Sequence, residues 1–398
     1  MVKNVKILKI IAFLFVLIIF LGFIKNDTYN AVDSYAKYLG QGDSKAEGAL
    51  SKAGVELSYT SSIWKKRELI DINGFMAARL NMHGLYSNKG IYVTNDKYIV
   101  SSSPQTTTDY EVEETIGFRD FLKSNGINLL YVNEPTKYTD DDLFKNEFGI
   151  KTYSNTNMDL FLSRIREAGI NYIDLRENIS KDGMDVSELF YRTDHHWTTP
   201  AGLWAAKIIA EGLNEYCGYK INTSVLEDRN FKKNQWEDCW LGEQGRLVGK
   251  TYVGLDDYTE LKPEFDTDFT FKNDDGTTYD GTFDAFVNEA YYNTENDVYE
   301  NGSWHYSYNL INCVNNDVEK GKVLMLVDSY DHVTQPFISL VVHEVDYIEL
   351  RNYDDSFNLR DYIIENGYDT VIIAYAQFML GAHDDSSSAN YRMFSFDH

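Results

Sequence analysis

The chain repeats a unit that few folds can accommodate: an amphipathic helix, a glycine and a short apolar strand. Residues 115–125 have helical spacing, Gly126 is placed to end the helix, and residues 127–132 read as an apolar strand. The same order recurs with residues 158–168, Gly169 and residues 170–175. Such alternation is typical of a parallel sheet covered by helices on both faces. The sequence therefore predicts an α/β fold: a three-layer, flavodoxin-like parallel sheet.

The alternation continues after Gly321, and the rest of the chain differs from it. Residues 218–300 are rich in Asn, Asp, Gly and Thr, which predicts an insertion of loops and short strands over the site. Residues 90–100 predict a β-hairpin with an Asn-Asp turn. The predicted domains are a stalk and hairpin region at 26–110 and an α/β domain at 111–385. The later strands are expected at 323–327, 345–350 and 370–375, with helices at 336–343 and 359–366.

The N-terminal segment, residues 1–25, predicts export. Lys3, Lys6 and Lys9 precede an uncharged run over residues 10–24. Basic residues before an apolar run hold that side in the cytoplasm, so the rest of the chain is expected outside it. A good cleavage site is lacking, which favours a signal anchor over a signal peptide. We expect a single-pass protein of the cell membrane, or a secreted one if the segment is cleaved.

Composition narrows the possible partners. The 37 basic and 62 acidic residues give a formal net charge of −25, which disfavours binding to nucleic acid. Aromatic residues make up 15% of the chain, which fits either carbohydrate binding or an aromatic-rich core. Of the three cysteines, Cys217 and Cys239 could pair in an exported protein, but three buried thiols fit equally well.

Functional groups follow several of the predicted strands. The carboxyl ends of parallel strands meet at one edge of a sheet, where ligands bind, so these residues are expected to converge. A loop after the second strand carries Asp194-His195-His196-Trp197 and is expected at the same edge. The residues at the strand ends are Asn133, Ser329, Arg351 and Gln377.

Ser329 is the candidate nucleophile. A serine at a strand-to-helix turn exposes its hydroxyl and places its N–H near a helix N-terminus. A neutral hydroxyl needs a base within hydrogen-bonding reach. In an extended segment residues i and i+2 point the same way, so we assign His196 as the base and Asp194 as its orienting carboxylate. His195 is then expected to face the other side.

Other interpretations fit these residues by themselves. Two histidines and an aspartate could bind zinc or iron, or form a structural cluster. The Asp328-Ser329 pair is also common as a helix cap. Arg351 could bind a substrate carboxylate or pair with an acidic side chain, and Gln377 could donate to an oxyanion or be an ordinary loop amide.

The Asp194–Trp197 segment resembles the signature of the DHHW proteins, which are similar to alginate O-acetyltransferase-like members of the SGNH hydrolase superfamily. The resemblance extends over residues 70–380. It includes four ordered segments, residues 131–137, 191–202, 245–250 and 322–330. It implies a circularly permuted SGNH hydrolase fold, in which Asp-x-His precedes the nucleophile, and this chain has that order.

The resemblance also implies a function and partners. Members acetylate exopolysaccharides outside the cytoplasmic membrane, with a membrane-bound O-acyltransferase supplying the acetyl group. It implies no cofactor and no metal. This chain has Val327 where the usual Gly-Asp-Ser begins, and it lacks literal copies of the superfamily's Gly and Asn oxyanion donors. The Ser329 N–H is one expected donor, and the other oxyanion or substrate-binding candidates are Arg351, Asn352, Tyr375, Gln377, Tyr330 and Asn133.

The sequence thus predicts an extracytoplasmic O-acetyltransferase that acts on a cell-surface polysaccharide through Ser329, His196 and Asp194. Two alternatives remain open at this point. A polysaccharide acetyl esterase would use the same triad with water as acceptor. A catalytically silent polysaccharide-binding component of an export complex would use only the binding surface.

Overall fold

The computed structural model describes residues 65–84, 86–273, 275–287, 298–299, 310–354, 356–381 and 389–397. The contacts divide the chain into two units, residues 1–75 and 76–398. In the first unit residues 66–75 are helical, and the predicted anchor at 1–25 lies outside the described residues. No helix within the described ranges is long and apolar enough to cross a membrane. All that follows concerns the second unit.

Twelve α-helices are described, and short 3₁₀ turns separate several of them. Their bounds are α1 Lys66–Arg79, α2 Asp109–Ser124, α3 Asp141–Phe148, α4 Ser154–Glu167, α5 Leu175–Asp182, α6 Val186–Leu189, α7 Thr199–Cys217, α8 Glu243–Val248, α9 Lys250–Val253, α10 Gln335–Ser339, α11 Leu359–Asn366 and α12 Ala389–Met393.

Twelve strands are described as well. Their bounds are β1 Ile91–Val93, β2 Ile99–Ser101, β3 Asn128–Glu134, β4 Asn171–Asp174, β5 Phe231–Trp240, β6 Asp256–Pro263, β7 Phe269–Asn273, β8 Thr278–Gly281, β9 Leu310–Asn315, β10 Lys322–Val327, β11 Glu344–Ile348 and β12 Thr370–Ala376.

Eight of these strands form the central sheet, in the order β4-β3-β12-β10-β11-β9-β7-β8. The first five are parallel, and β9, β7 and β8 extend the sheet in antiparallel fashion. In register, Leu326 of β10 lies beside Ile373 of β12 and Ile348 of β11. The three strands therefore end together, as the predicted convergence of their functional residues requires.

The sheet is covered on both faces, which confirms the predicted three-layer α/β fold. Side chains alternate along the strands, so Leu130 and Val132 of β3 enter one core and Leu129 and Tyr131 enter the other. Helices α7 and α10 pack on the first face, and α2, α4, α11 and α12 on the second. Parallel strands buried on both faces need continuous apolar runs, and β10 and β12 have them.

Helix α7 connects the Asp-His segment to the sheet. It begins where the Thr198 hydroxyl accepts a hydrogen bond from the Ala201 N–H, with Pro200 in its first turn. It ends at Gly218, which is left-handed. A Cβ at Gly202 would collide with the backbone of Val333, so the start of α7 packs directly against the turn that follows Ser329.

The predicted insertion is more regular than expected. Residues 231–240 and 256–263 form a long two-stranded antiparallel ribbon, and β7 and β8 join the central sheet with β9. The ribbon strands β5 and β6 are longer than the short strands predicted for residues 218–300, whereas β7 and β8 are short as expected. Alternating aromatic residues on β7, Phe269 and Phe271, are fully buried, and it is this burial that attaches the segment to the sheet.

Three further expectations can be compared with the structure. The hairpin at 90–100 is present as β1 and β2. None of the three cysteines forms a disulfide, so Cys217 and Cys239 are not bonded to each other. The core extends past the predicted boundary at 385, because Met393, Phe394 and Phe396 are completely buried against α2 and α4.

Candidate active site

Ser329 lies at the carboxyl end of β10, where the strand passes into a 3₁₀ helix over residues 329–333. Asp328, fully buried, holds this turn. One of its oxygens accepts from the Tyr330 N–H (2.8 Å) and the other from the Ala376 N–H (2.7 Å) at the end of β12. The first N–H groups of a helix have no intrahelical acceptor, so the Ser329 N–H is available to an oxyanion.

The structure brings Ser329, His196 and Asp194 together in one hydrogen-bonded chain. His196 Nε2 lies 2.9 Å from Ser329 Oγ, and His196 Nδ1 lies 2.6 Å from Asp194 Oδ1. Because a carboxylate only accepts, the Nδ1–H donates to Asp194 and Nε2 is free to accept from the serine hydroxyl. This arrangement is that of a nucleophile, a base and an orienting carboxylate.

The loop carrying Asp194 is bent rather than extended. In residues 192–197, here called the Asp194 loop, the His196 N–H also donates to Asp194 Oδ1 (3.1 Å), as in an Asx turn. His195 Nδ1 lies 3.4 Å from the same oxygen, and the His195 and His196 rings are 3.8 Å apart. The expectation that His195 faces away was therefore wrong: a turn, not strand alternation, places both imidazoles on one side.

Asp194 is buried but is surrounded by donors. Burial alone would raise its pKa, but the two imidazoles and the Glu243 N–H hold the pKa of Asp194 well below its usual value. The Glu243 N–H reaches the second carboxylate oxygen at 2.7 Å. Gly242 packs so closely that an added Cβ would lie 2.5 Å from the Asp194 Cβ. Asp194 is thus held as a fixed anion.

A second buried aspartate holds the Asp194 loop from behind. Asp256, at the start of β6, accepts from the N–H groups of Arg192 (2.6 Å) and Thr193 (2.8 Å) and from the Thr193 hydroxyl. The same hydroxyl accepts from the Gly242 N–H. The predicted insertion therefore supplies both β6 and the Gly242 turn to the loop. Sequence reasoning missed Asp256, and one aspartate among so many gives no local signal.

Trp197 and Tyr330 connect the two halves of the site reciprocally. The Trp197 indole donates to the Tyr330 carbonyl (2.7 Å), and the Tyr330 hydroxyl donates to the His195 carbonyl (2.6 Å). Both side chains are almost completely buried. Tyr330, which follows Ser329, is thereby hydrogen-bonded to His195 and Trp197, the residues on either side of His196.

Three other predicted residues have their polar groups engaged elsewhere. The Asn133 amide donates to Asp174 (2.8 Å), and the Tyr375 hydroxyl donates to the Met393 carbonyl (2.8 Å) inside the second core. The Gln377 amide donates to the Ser154 hydroxyl (2.7 Å). The donor groups that these three were expected to offer to an oxyanion are thus used by neighbouring elements, while the amide oxygens of Asn133 and Gln377 are buried without a donor among the described residues.

Arg351 and Asn352 lie at the end of β11, in a short 3₁₀ turn. Arg351 forms an ion pair with Glu349, and the Asn352 amide also donates to Glu349. Arg351 still lies near enough for its charge to help lower the pKa of His195, after the larger effect of burial. Of the two, Arg351 borders the site and Asn352 is exposed.

Two carboxyl groups behind the nucleophile were also missed. Glu134 ends β3 and Asp331 lies in the turn after Ser329; both are fully buried. Within the described residues no N–H or O–H group of another residue donates to their oxygens. Burial raises the pKa of both groups, and the neighbouring charge of Asp328 raises it further.

A cleft of about 400 Å³ opens beside the triad. Its floor contains His195, Tyr330 and Phe378, and its walls come from residues 99–104, residues 136–138 and Gln244. The hairpin that the sequence placed in a stalk region therefore forms one wall of the candidate active site. Lys137, also missed, ties that wall to the Asp194 loop, because its ammonium donates to the carbonyls of Ile99 (2.7 Å) and Arg192 (3.3 Å).

The Asp194 loop contains the one candidate metal-ligand group found among the described residues. Asp194, His195 and His196 each offer a ligand atom, and these atoms lie within 4.8 Å of one another. In the structure, however, Asp194 and the His196 Nδ1 are hydrogen-bonded to each other, and His196 Nε2 meets Ser329. A metal would have to replace those bonds, so the donor set fits proton transfer better than metal binding.

Comparison with known proteins supports the same kind of domain. Residues 91–285 match the family described as an SGNH hydrolase-like domain, acetyltransferase AlgX. The match includes the Asp194 loop and ends before Ser329. A curated relative, the alginate biosynthesis protein AlgX of Pseudomonas aeruginosa, is 26% identical over 176 residues, which are 42% of this chain. The match spans 35% of that protein's length.

Two solved structures share the fold. PatB1 of Bacillus cereus, with a sulfonyl adduct, has a TM-score of 0.60 at 18% identity and covers 77% of this chain and 97% of its own. A DHHW family protein from Eubacterium siraeum has a TM-score of 0.52 at 16% identity, with 72% and 90% covered. The resemblance drawn from the sequence is confirmed.

Proposed function

This chain carries an SGNH hydrolase-like domain of the DHHW and alginate acetyltransferase kind, and on that premise we propose that it is an O-acetyltransferase acting on the hydroxyl groups of a cell-surface polysaccharide. The observation that carries the proposal is the hydrogen-bonded chain from Ser329 through His196 to Asp194.

The geometry suits a two-step transfer. Ser329 Oγ attacks the carbonyl carbon of an acetyl donor while His196 Nε2 takes the hydroxyl proton, and Asp194 stabilises the imidazolium. His196 then returns the proton to the leaving group, and the acetyl group remains on Ser329 as an ester. The Ser329 N–H donates to the oxyanion.

The second step reverses the first. A sugar hydroxyl in the cleft attacks the acetyl carbon and gives its proton to His196. The bond to Ser329 Oγ breaks, and His196 returns the proton to that oxygen. The cleft beside His195 is large enough to hold an acceptor next to the acetyl-serine.

The setting of the reaction is part of the proposal. The basic and apolar N-terminal segment supports a membrane-anchored or secreted protein that works outside the cytoplasm. A membrane-bound O-acyltransferase would then supply acetyl groups across the bilayer. A polysaccharide acetyl esterase is the second candidate, because the same triad would release acetate if water replaced the sugar.

Acetyl release from 4-nitrophenyl acetate, with and without an oligosaccharide acceptor, tests the proposal. We expect Ser329→Ala to lose activity by about three orders of magnitude or more, and mass spectrometry to find acetyl-serine in the wild type. Ser124→Ala, at the opposite end of the sheet, is the control. Equal activity in wild type and Ser329→Ala would refute the triad, whereas turnover with water alone would favour the esterase. Loss of activity on chelation would restore the metal interpretation.

A further inference from the structure

The cleft beside the triad is lined by hydroxyl, amide and aromatic groups. Ser101, Ser102, Ser103 and Thr136 contribute hydroxyl-bearing residues, and the rings of Tyr138 and Phe378 also line it. Hydroxyl and amide groups exchange hydrogen bonds with sugar hydroxyls, and an aromatic ring can cover the apolar face of a pyranose. This lining therefore fits a sugar.

Gln244 gives an independent indication of a polar ligand. Its amide nitrogen donates to the Ser101 hydroxyl at 3.3 Å. Its amide oxygen is buried and has no hydrogen-bond donor among the described residues. A buried acceptor without a donor costs free energy, and a small rotation of the Gln244 side chain toward the cleft would let a ligand hydroxyl donate to it.

The positively charged side chains beside the cleft already have carbonyl or carboxylate partners within the protein. Lys137 is the one lysine or arginine in the described lining. Its ammonium donates to two carbonyls and lies near the carboxylates of Asp194 and Asp256; burial lowers the pKa of Lys137 to about 8. Arg351, at the border, is paired with Glu349.

The remaining charges near the floor do not favour an anion. His195 Nδ1 lies 3.4 Å from the carboxylate of Asp194, so a buried negative charge lies next to the floor. Glu243 adds a further negative charge within reach of His195. The chain as a whole carries −25, so an approaching polyanion is repelled at long range as well.

We infer that the cleft takes an uncharged sugar chain as acetyl acceptor, and that it disfavours uronate or other polyanionic chains. This inference rests on the proposed function, because the acceptor is defined by the transfer reaction. It assigns Gln244 and Phe378 to acceptor binding, one through its amide oxygen and the other through its ring.

Binding of two matched oligosaccharides to the Ser329→Ala protein tests the inference without requiring chemistry. One is a neutral hexose hexamer and the other a uronic acid hexamer, and calorimetry at low salt measures each. We expect the neutral chain to bind about ten-fold more tightly or better, since each repelled carboxylate contributes a few-fold. Added salt should narrow the difference by screening the repulsion. Equal binding, tighter uronate binding, or no binding of either chain would overturn the inference.

Two lysine substitutions distinguish the effect of the cleft on sugar preference from the effect of net charge. Ser101→Lys places a cation in the cleft and should shift the preference toward the uronate by about two- to five-fold. Ser124→Lys makes the same change in net charge at the opposite end of the sheet and should leave the preference unaltered. An equal shift in both variants would assign the discrimination to net charge and overturn the role of the cleft. Failure of the triad would appear separately, as acetyl release that survives in Ser329→Ala.

Discussion

Asp194 and the Glu134–Asp331 pair are both fully buried, and yet their pKa values shift in opposite directions. Asp194 accepts hydrogen bonds from two N–H groups and an imidazole and stays charged. The described residues offer no such donors to Glu134 and Asp331, and burial raises the pKa of both groups. The number of donors, rather than the extent of burial, decides which acid can serve as an anion in catalysis.

Of the substitutions that test this comparison, Asp194→Asn should have the largest effect on activity. An amide in place of the carboxylate permits the wrong imidazole tautomer and leaves the imidazolium without its counter-charge. We expect kcat for acetyl release to fall by about 10³–10⁴, with Asp120→Asn on the surface of α2 as the control. A loss of less than ten-fold would mean that Asp194 does not orient the base.

Gly242→Ala tests how closely the donors are held against Asp194. The added Cβ would meet the Asp194 side chain and the Thr193 carbonyl, so the Asp194 loop must shift. A displacement of that size at a catalytic group costs about 100-fold in kcat. Gly117→Ala is the matched control, because nothing lies within 4 Å of a Cβ added there. If the two variants had equal rates, the Gly242 contact would not position the triad.

Glu134→Gln tests the Glu134–Asp331 pair through the pH dependence of folding stability. The folded pKa of the pair is raised above the unfolded value of about 4.3. The stability of the wild type is therefore complete below that pH and is lost as pH rises toward the folded pKa. The neutral amide removes this loss of stability, which exceeds about 1.4 kcal/mol if the folded pKa is raised by more than one unit.

Urea midpoints measured from pH 4 to pH 8 compare the wild type, Glu134→Gln and the exposed control Glu365→Gln. The wild type and the control should lose stability in parallel as pH rises, and Glu134→Gln should lose less. If the urea midpoints of all three proteins fell in parallel with pH, the carboxyl group of Glu134 would not have a raised pKa in the folded protein.

Tyr330→Phe should have the smallest effect. It removes the hydrogen bond from the Tyr330 hydroxyl to the His195 carbonyl and retains the ring. One neutral hydrogen bond contributes about 1 kcal/mol, so kcat should fall by about five-fold. Tyr216→Phe on α7 serves as the control, and an effect on thermal stability without any change in kcat would limit Tyr330 to a structural role.

The sheet could be predicted, and so could the proximity of Asp194, His196 and Ser329, because their signals are local or ordered. Apolar runs define β10 and β12, glycines end the helices, and Asp194, His196 and Ser329 follow a recognisable pattern. The supporting residues could not be predicted, because their roles come from contacts between distant segments. Asp256 reaches the Asp194 loop from β6, and Lys137 reaches it from the loop after β3.

The errors have the same physical origin. His195 was placed on the wrong side because alternation was applied to a segment that an Asx turn bends. Tyr375 and Gln377 were placed at the ligand because strand ends were treated as free, although tertiary hydrogen bonds already use their polar groups. Sequence position identified the edge of the sheet on which the site lies but not the direction of each side chain.

The position of β12 has a consequence for how the molecule acquires its site. This strand, 370–376, pairs with β3 on one side and β10 on the other, with Asn128 opposite Thr370 across more than half the chain. Ribosomes make β12 long after β3, so the middle of the sheet stays incomplete until β12 has been made. Pairing over such separations is slow and leaves strand edges exposed meanwhile. The turn at Ser329 is hydrogen-bonded to β12 through Asp328, so Ser329 can reach its position beside His196 only after this later strand has inserted.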